Sequence, residues 1–389
     1  MNKKRIGILT GGGDVQPLNA LIEAAYFEAK KNNINLIGIN KGWQGLLEKD
    51  FSKFEELNFS SKIGGTILKS SRVNILRIDD GPEKIKKSIN ELNLSGLIIV
   101  GGEDTLSNSF FITDFPQILI TKTIDNDVGI VKGGKLLASK FVNFFTLGHP
   151  TAAEKIIKIV SVNEGLRTTA YSHERIIIVE SMGMQAGWLA LSSCLGNPDF
   201  IIVPEFPLDY NYFLEKIVER YKKERNVIVV IAEGAKWKNG NFISADENEK
   251  DDFGHPKFKG AAEVLSKRLK EDIKKEFNTR NINSVNPSYI YRSGKPNKLD
   301  IRTAQKLGKR AIKLFDNGMT SRVFLTTKYR DSRIDTNIYP LDKLKTIENF
   351  HRFLDERFYD ESEFTATSEA KKYWLKIVEP LDEILYGHK

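Results

Sequence analysis

Cysteine is almost missing from this chain. Its 389 residues include one, Cys194, so no disulfide can close within the chain and no multi-cysteine zinc site can be built. The surrounding LALSSCLG reads as core, with Cys194 a small buried side chain. Long apolar runs are missing too. None reaches the ~18 residues of a membrane span, so no membrane partner is expected. The opening MNKKRIGILTGGGD is basic, but its apolar run extends only from Ile6 to Leu9, too short for the core of a signal peptide. The expected compartment is the cytoplasm. There is no dense basic tail. Lys and Arg number 59 against 51 Asp and Glu, a net charge of +8, but the lysines are scattered over helix-like segments. Anionic small molecules are therefore the expected partners, and nucleic acid is not. The chain has no P-loop, no GxGxxG, and no Ser–His–Asp, HExxH or EF-hand pattern.

What is present is a regular alternation. Short runs that are apolar throughout occur at 5–10, 36–40, 96–100, 117–121, 175–180, 200–205 and 226–233. Continuous rather than alternating hydrophobicity is the mark of parallel strands covered on both faces. Amphipathic stretches at 16–31, 82–93, 151–162, 208–224, 258–277 and 299–315 predict helices between and after them. Alternating βα units argue for an α/β protein with two doubly wound domains of mainly parallel sheet. The expected domains are 1–150 with about 293–318, then 151–292. A helical C-terminal extension is expected over 319–389, with a strand-like piece at its start and no visible chemistry. The polar stretch DENEKDDFGHPKFKG, 246–260, reads as a surface loop.

Ligands of such sheets bind beyond the carboxyl ends of strands, and polar clusters stand at those ends. LTGGGD follows the first strand. Gly12 and Gly13 would let backbone N–H groups approach an anion, or the stretch is a structural turn with Asp14 as a cap. GGTILKSSR brings Lys69 and Arg72 beside another glycine pair, as a phosphate site or as a solvated loop. In GGEDTL, Glu103 and Asp104 suit a hard cation such as Mg²⁺, or serve as acids favoured at a helix N-terminus. TKTIDND is the most specific element. Asp125 and Asp127 can share the work of taking and orienting a hydroxyl proton, and Lys122 can neutralise a transferring phosphoryl group. SHERIIIVESMGMQAGW places His173 and Arg175 before a strand and Met182, Gly183 and Met184 after it. Glu233 ends another strand, and NPSYIYRSG supplies Tyr289 and Arg292. Together these describe phosphoryl transfer, which works by positioning and charge neutralisation.

The blocks ILTGGGDVQPLNALI, GGTILKSSR, IVGGEDTL, TKTIDNDV, ESMGMQAGWLALSS, IIVPEFP, VIVVIAEGA and PSYIYRSG…D resemble phosphofructokinases in content and order, over roughly residues 5–320. The resemblance implies two similar α/β domains, a phosphoryl donor on the first, fructose 6-phosphate between them, and sites shared in a homodimer or homotetramer. It implies Asp125 as the base on the sugar 1-hydroxyl, with Thr123 and Asp127 in support. Gly12, Gly13 and Arg72 would bind the donor, and Glu103 would hold Mg²⁺. Arg175 would reach the sugar phosphate of a neighbouring subunit. Met182, Gly183, Met184, Glu233, Tyr289 and Arg292 would line the sugar phosphate site.

Asp104 and Lys122 resemble the pyrophosphate-using members, where ATP-using members tend to have glycines. The resemblance therefore implies reversible transfer from pyrophosphate, with an ATP-dependent enzyme or a non-catalytic sugar-phosphate-binding relative as alternatives. The chain departs from the family in reading MGM for MGR, SGKP for GGSP, and in a longer, more apolar stretch after TIDND. Met184 in place of the arginine puts the rate and the choice of sugar in question, sedoheptulose 7-phosphate being one other candidate. Arg280 is the nearest substitute for a further sugar-phosphate arginine.

Overall fold

The computed structural model describes residues 3–129, 143–250, 256–258, 260–274, 277, 281–341 and 351–379. In chain order the first elements are β1 (Arg5–Thr10), α1 (Leu18–Lys31), β2 (Asn35–Ile39), α2 (Trp43–Glu48) and β3 (Phe51–Lys53). Then come α3 (Gly81–Glu91), β4 (Gly96–Gly101), α4 (Glu103–Ser107), β5 (Gln117–Thr123), β6 (Leu147–Gly148) and α5 (His149–Val160). The chain continues through α6 (Arg167–Ser172), β7 (Ile176–Ser181), α7 (Trp188–Ser192), β8 (Phe200–Ile202), α8 (Tyr210–Glu224) and β9 (Val227–Ala232). It ends with β10 (Ala245–Lys250), β11 (Pro256–Phe258), α9 (Ala261–Ile273), β12 (Ile282–Val285), α10 (Lys298–Asp316), β13 (Arg322–Arg330), β14 (Arg333–Pro340), β15 (Tyr359–Asp360), β16 (Thr365–Ala366) and α11 (Ser368–Trp374).

Two compact units result, Met1–Thr151 with Arg292–Arg352, and Ala152–Tyr291 with Phe353–Lys389. The first is built on a sheet in the order β14-β13-β5-β4-β1-β2-β3, with β6 alongside β5. The strands from β13 to β2 run parallel, and the antiparallel strands β3 and β14 form its edges. Leu97, Ile98, Ile99 and Val100 of β4 are fully buried, which is why this strand shows no polar alternation. Helix α10 lies on α1, where a Cβ on Gly308 would stand 2.3 Å from Leu21 O. The chain leaves β1 toward β2 on one side and reaches β4 on the other. The strand order therefore reverses at β1 and β4, the position where open α/β sheets bind ligands.

The second unit holds a parallel sheet in the order β12-β7-β9-β8. Its core runs from Ile176 and Val229 through Phe213 and Tyr221 of α8 to Leu265 and Leu269 of α9. The mainly parallel α/β architecture is as expected from the periodicity.

Two expectations need correcting, that of a separate helical C-terminal extension and that of a surface loop over 246–260. The strand-like piece expected at the start of the extension is β13, paired with β14 in the first unit's sheet. Val323, Phe324 and Leu325 of β13 are buried beside β5. The last part, from Phe353, belongs to the second unit, and its described helical content is α11 and the short 3₁₀ turn Glu356–Phe358. Within the polar stretch 246–260, the described residues fall mainly in β10 and β11, which pair antiparallel. Arg280 and the segment 130–142 of the long apolar stretch lie outside the described residues.

Candidate active site

Three adjacent strands of the first unit deliver the expected clusters to one sheet end. The glycine turn follows β1, Glu103 and Asp104 open α4 after β4, and β5 extends to Thr123, so Lys122 is a strand residue. Close packing of the glycine backbone against the Thr105 side chain builds the turn. A Cβ on Gly11 would lie 2.6 Å from Thr105 Oγ1, and one on Gly101 would lie 2.4 Å from Thr105 Cβ. Gly12 has φ +76°, in the region that favours glycine, and its N–H donates to Ser71 O at 3.1 Å.

Lys122 is 2% exposed. Its ammonium donates to Gly13 O and lies 3.6 Å from where a Cβ on Gly12 would stand. Burial, and then the positive field of Arg292, push its pKa down to about 7, while Asp14 and Asp125 pull the other way. The Arg292 guanidinium covers Gly13, with Nη1 2.8 Å from where a Cβ there would be, and donates to Asp14 O at 3.3 Å. Arg72 is exposed, and its charge also acts on Lys122.

The turn after β5 is fixed by its own polar groups. Asp125 N donates to Thr123 Oγ1 at 3.1 Å. Asn126 adopts φ +57°, and its buried Oδ1 accepts from Thr146 N at 3.0 Å. Burial first, and then the neighbouring charge of Asp127, raise Asp125 to about 6. Burial likewise raises Asp127, against hydrogen bonding to its own backbone and to Thr123. Asp125 Oδ1 and Asp127 Oδ1 are buried and lack a hydrogen-bond partner among the described residues. Such orphaned acceptors are costly, and they offer lone pairs to a ligand.

His351 and Arg352 were not foreseen. His351 Nε2 lies 3.2 Å from Glu103 Oε1, and that contact, ahead of opposing burial, raises the histidine pKa. Arg352 reaches Asn126. Nothing near them in the sequence marks either residue, because their partners stand more than 200 residues earlier. Among the described residues no group of three His, Cys, Asp or Glu gathers to hold a metal.

The second unit carries the other expected residues. Gly183 N donates to Glu233 Oε1 at 3.1 Å, so the ends of neighbouring β7 and β9 meet. A Cβ on Gly234 would lie 1.8 Å from Met184 O. Met182 and Met184 are half-buried. Tyr289 is 74% exposed. Arg175 precedes β7, about 20 Å along the strand from Met182, and its guanidinium donates to Thr169 Oγ1. Arg175 is thus not brought to Met182 and Glu233. His173 is exposed.

The phosphofructokinase family profile matches residues 5–315. The chain belongs to the phosphofructokinase family. Pyrophosphate–fructose 6-phosphate 1-phosphotransferase of Dictyoglomus thermophilum is 34% identical over 366 residues, covering 92% of this chain and 98% of that one. ATP-dependent 6-phosphofructokinase 3 of Streptomyces coelicolor is 37% identical over 322 residues, covering 81% and 88%. Among solved structures, the pyrophosphate-dependent phosphofructokinase of Marinobacter aquaeolei superposes with a TM-score of 0.79. It is 17% identical and covers 99% of this chain and 94% of that one, a likeness of fold. The strands β13 and β14 and the pair His351–Arg352 lie beyond the matched residues. No helix among the described residues is long and apolar enough to cross a membrane.

Proposed function

We propose that this phosphofructokinase moves a phosphoryl group reversibly between pyrophosphate and the 1-hydroxyl of fructose 6-phosphate, with Mg²⁺. The observation that carries the donor assignment is the buried Lys122 ammonium lodged against the glycine turn. A cation there meets the concentrated charge of a two-phosphate donor. Asp104, on the next strand end, sets a carboxylate where a longer donor would place its α-phosphate, and like charges repel.

In this reading Asp125 takes the proton from the sugar 1-hydroxyl. With its pKa at about 6, it is mostly ionised at neutral pH and still basic enough to accept. The sugar oxygen then bonds to phosphorus as the bridging P–O bond breaks, and inorganic phosphate leaves. Lys122 and Arg292 offset the charge that accumulates. Thr123 and Asp127 hold Asp125, while Gly12, Gly13 and Arg72 bind the donor. Glu103 and the unpartnered Asp127 oxygen offer hard donors for Mg²⁺, which takes one or two carboxylates and completes its shell with water and phosphates. When bound, it would neutralise the phosphate oxygens.

The sugar phosphate is assigned to Met182, Gly183, Met184, Glu233, Tyr289 and Arg292. The position of Arg175 at the far end of β7 supports its being offered to a neighbouring copy, in a homodimer or homotetramer. A second reading, ATP as donor, is favoured by the identity to the Streptomyces coelicolor enzyme.

Turnover of fructose 6-phosphate with Mg²⁺ and either pyrophosphate or ATP decides between them. Activity with pyrophosphate alone is expected, lost in K122G and shifted toward ATP in D104G/K122G. Activity with ATP alone overturns the donor assignment, and binding of fructose 6-phosphate without turnover overturns the enzyme reading.

A further inference from the structure

The dipeptide His351–Arg352 touches both strand-end acid clusters. At the first, His351 Nε2 meets Glu103 Oε1 at 3.2 Å. At the second, the contacts are continuous along the backbone. His351 bridges Val128 in antiparallel register, and Arg352 N donates to Asp127 O at 2.7 Å. Arg352 Nη1 donates to Asn126 Oδ1 at 2.8 Å. Gly129 makes room for this approach. A Cβ there would lie 3.3 Å from Arg352 Cδ and 2.3 Å from Asn143 Oδ1.

Arg352 is 1% exposed. Burying a guanidinium costs several kcal/mol before its hydrogen bonds are counted, and an apolar side chain of similar volume often packs as stably. The guanidinium therefore earns its place by what it fixes. It holds the amide of Asn126, the residue between the two aspartates. Asn126 sits at φ +57°, a conformation that persists only where the surroundings over-determine it. Thr146 N donates to the same oxygen. With both donors in place, the turn that carries Asp125 and Asp127 is held before any ligand arrives.

We infer that His351 and Arg352 are positioning residues: Arg352 sets the Asp125–Asp127 turn through Asn126, and His351 sets the Glu103 carboxylate. The kinetic part of this inference rests on the reading under Proposed function. The strap itself does not, and it is tested without turnover.

The first measurement is hydrogen exchange by mass spectrometry on full-length R352M and wild type. Exchange in the peptide 123–129 is expected to rise on the order of tenfold, while peptides of β1 and β4 stay unchanged. Equal exchange in 123–129, or an equal rise across the whole first unit, overturns the positioning role of Arg352 whatever the enzyme's activity. The second measurement is kinetic. In R352M, kcat is expected to fall on the order of 100-fold, with both KM values within about threefold. In R352A, free guanidinium is expected to restore part of kcat.

His351 supplies an independent pair should R352M fail to fold. H351A is expected to lose kcat, and H351Q, whose amide can still donate to Glu103, to recover most of it at an unchanged melting temperature. Equal loss in both, or in neither, overturns the role of His351. A wild-type chain with no turnover on either donor sinks the functional reading and leaves the exchange result to decide the strap.

Discussion

The ammonium of Lys122 donates to the carbonyl oxygen of Gly13, 109 positions earlier in the chain. The bond joins the ends of two strands on either side of β4, and it holds a buried lysine whose pKa has fallen to about 7 beside an aspartate raised to about 6. The base works when it has lost its proton, so kcat/KM should rise as pH passes about 6. The lysine works while it keeps its proton, so kcat/KM should fall as pH passes about 7. A narrow bell is expected in the free-enzyme parameter. A bound polyanion raises the lysine pKa, so the alkaline limb of kcat should lie higher than that of kcat/KM. K122M should lack that limb and lose ~10²–10³-fold in kcat. A limb that survives in K122M would falsify the assignment.

Asp127 adds to the raised pKa of Asp125 by its charge. D127N removes that charge and keeps an oxygen acceptor for Thr123. The acid limb of kcat/KM should therefore move to lower pH, while kcat falls on the order of tenfold or more as the orienting carboxylate is lost. An acid limb that stays in place, or moves to higher pH, would show that the Asp127 charge does not raise Asp125.

Gly12 and Gly13 should fail in different ways. Gly12 lies at φ +76°, so G12A is strained and should cost ~1–2 kcal/mol of stability, read as a lower denaturation midpoint. Gly13 has no such φ, but a Cβ there would lie 2.8 Å from Arg292 Nη1. The neighbour is the end of a flexible side chain, so G13A should keep its stability, displace Arg292 and lose on the order of tenfold in kcat/KM. Reversed phenotypes would mean that the turn is arranged otherwise in solution.

The strand-end clusters were legible because each lies within one short stretch, where an apolar run stops and glycines or acids begin. TKTIDND and GGEDTL are of this kind, and the switch of strand order places them side by side. The pairing of β10 with β11 was not legible. DENEK has neither β-branched nor aromatic residues, and polar strands give no period to read. β14 is an edge strand, RIDTNIYP, with mostly half-buried or exposed residues, so its pairing with β13 appears only when the sheet is assembled. His351 and Arg352 are a histidine and an arginine in a charged segment. Their significance comes from a pairing with Glu103 and Asn126 that no local pattern encodes. The arginine missing from MGM, read from resemblance, has no replacement near Met184 that the local sequence would suggest.

The C-terminal segment tests how far the second unit depends on residues that the sequence left without a role. Trp374 is fully buried. Its ring centroid lies 6.0 Å from that of Trp188, 5.1 Å from that of Tyr373 and 6.3 Å from that of Phe358. Trp188 itself opens α7, directly after the MGMQAG stretch. W374A would leave a cavity against Trp188 and should cost ~3–5 kcal/mol, seen as an early denaturant transition of the second unit. A detachable tail would instead leave the midpoint unchanged. Because α7 and the glycine of MGM belong to one continuous stretch, W374A should also raise KM for fructose 6-phosphate more than KM for the donor. W374F, which keeps an aromatic ring there, should recover part of both losses.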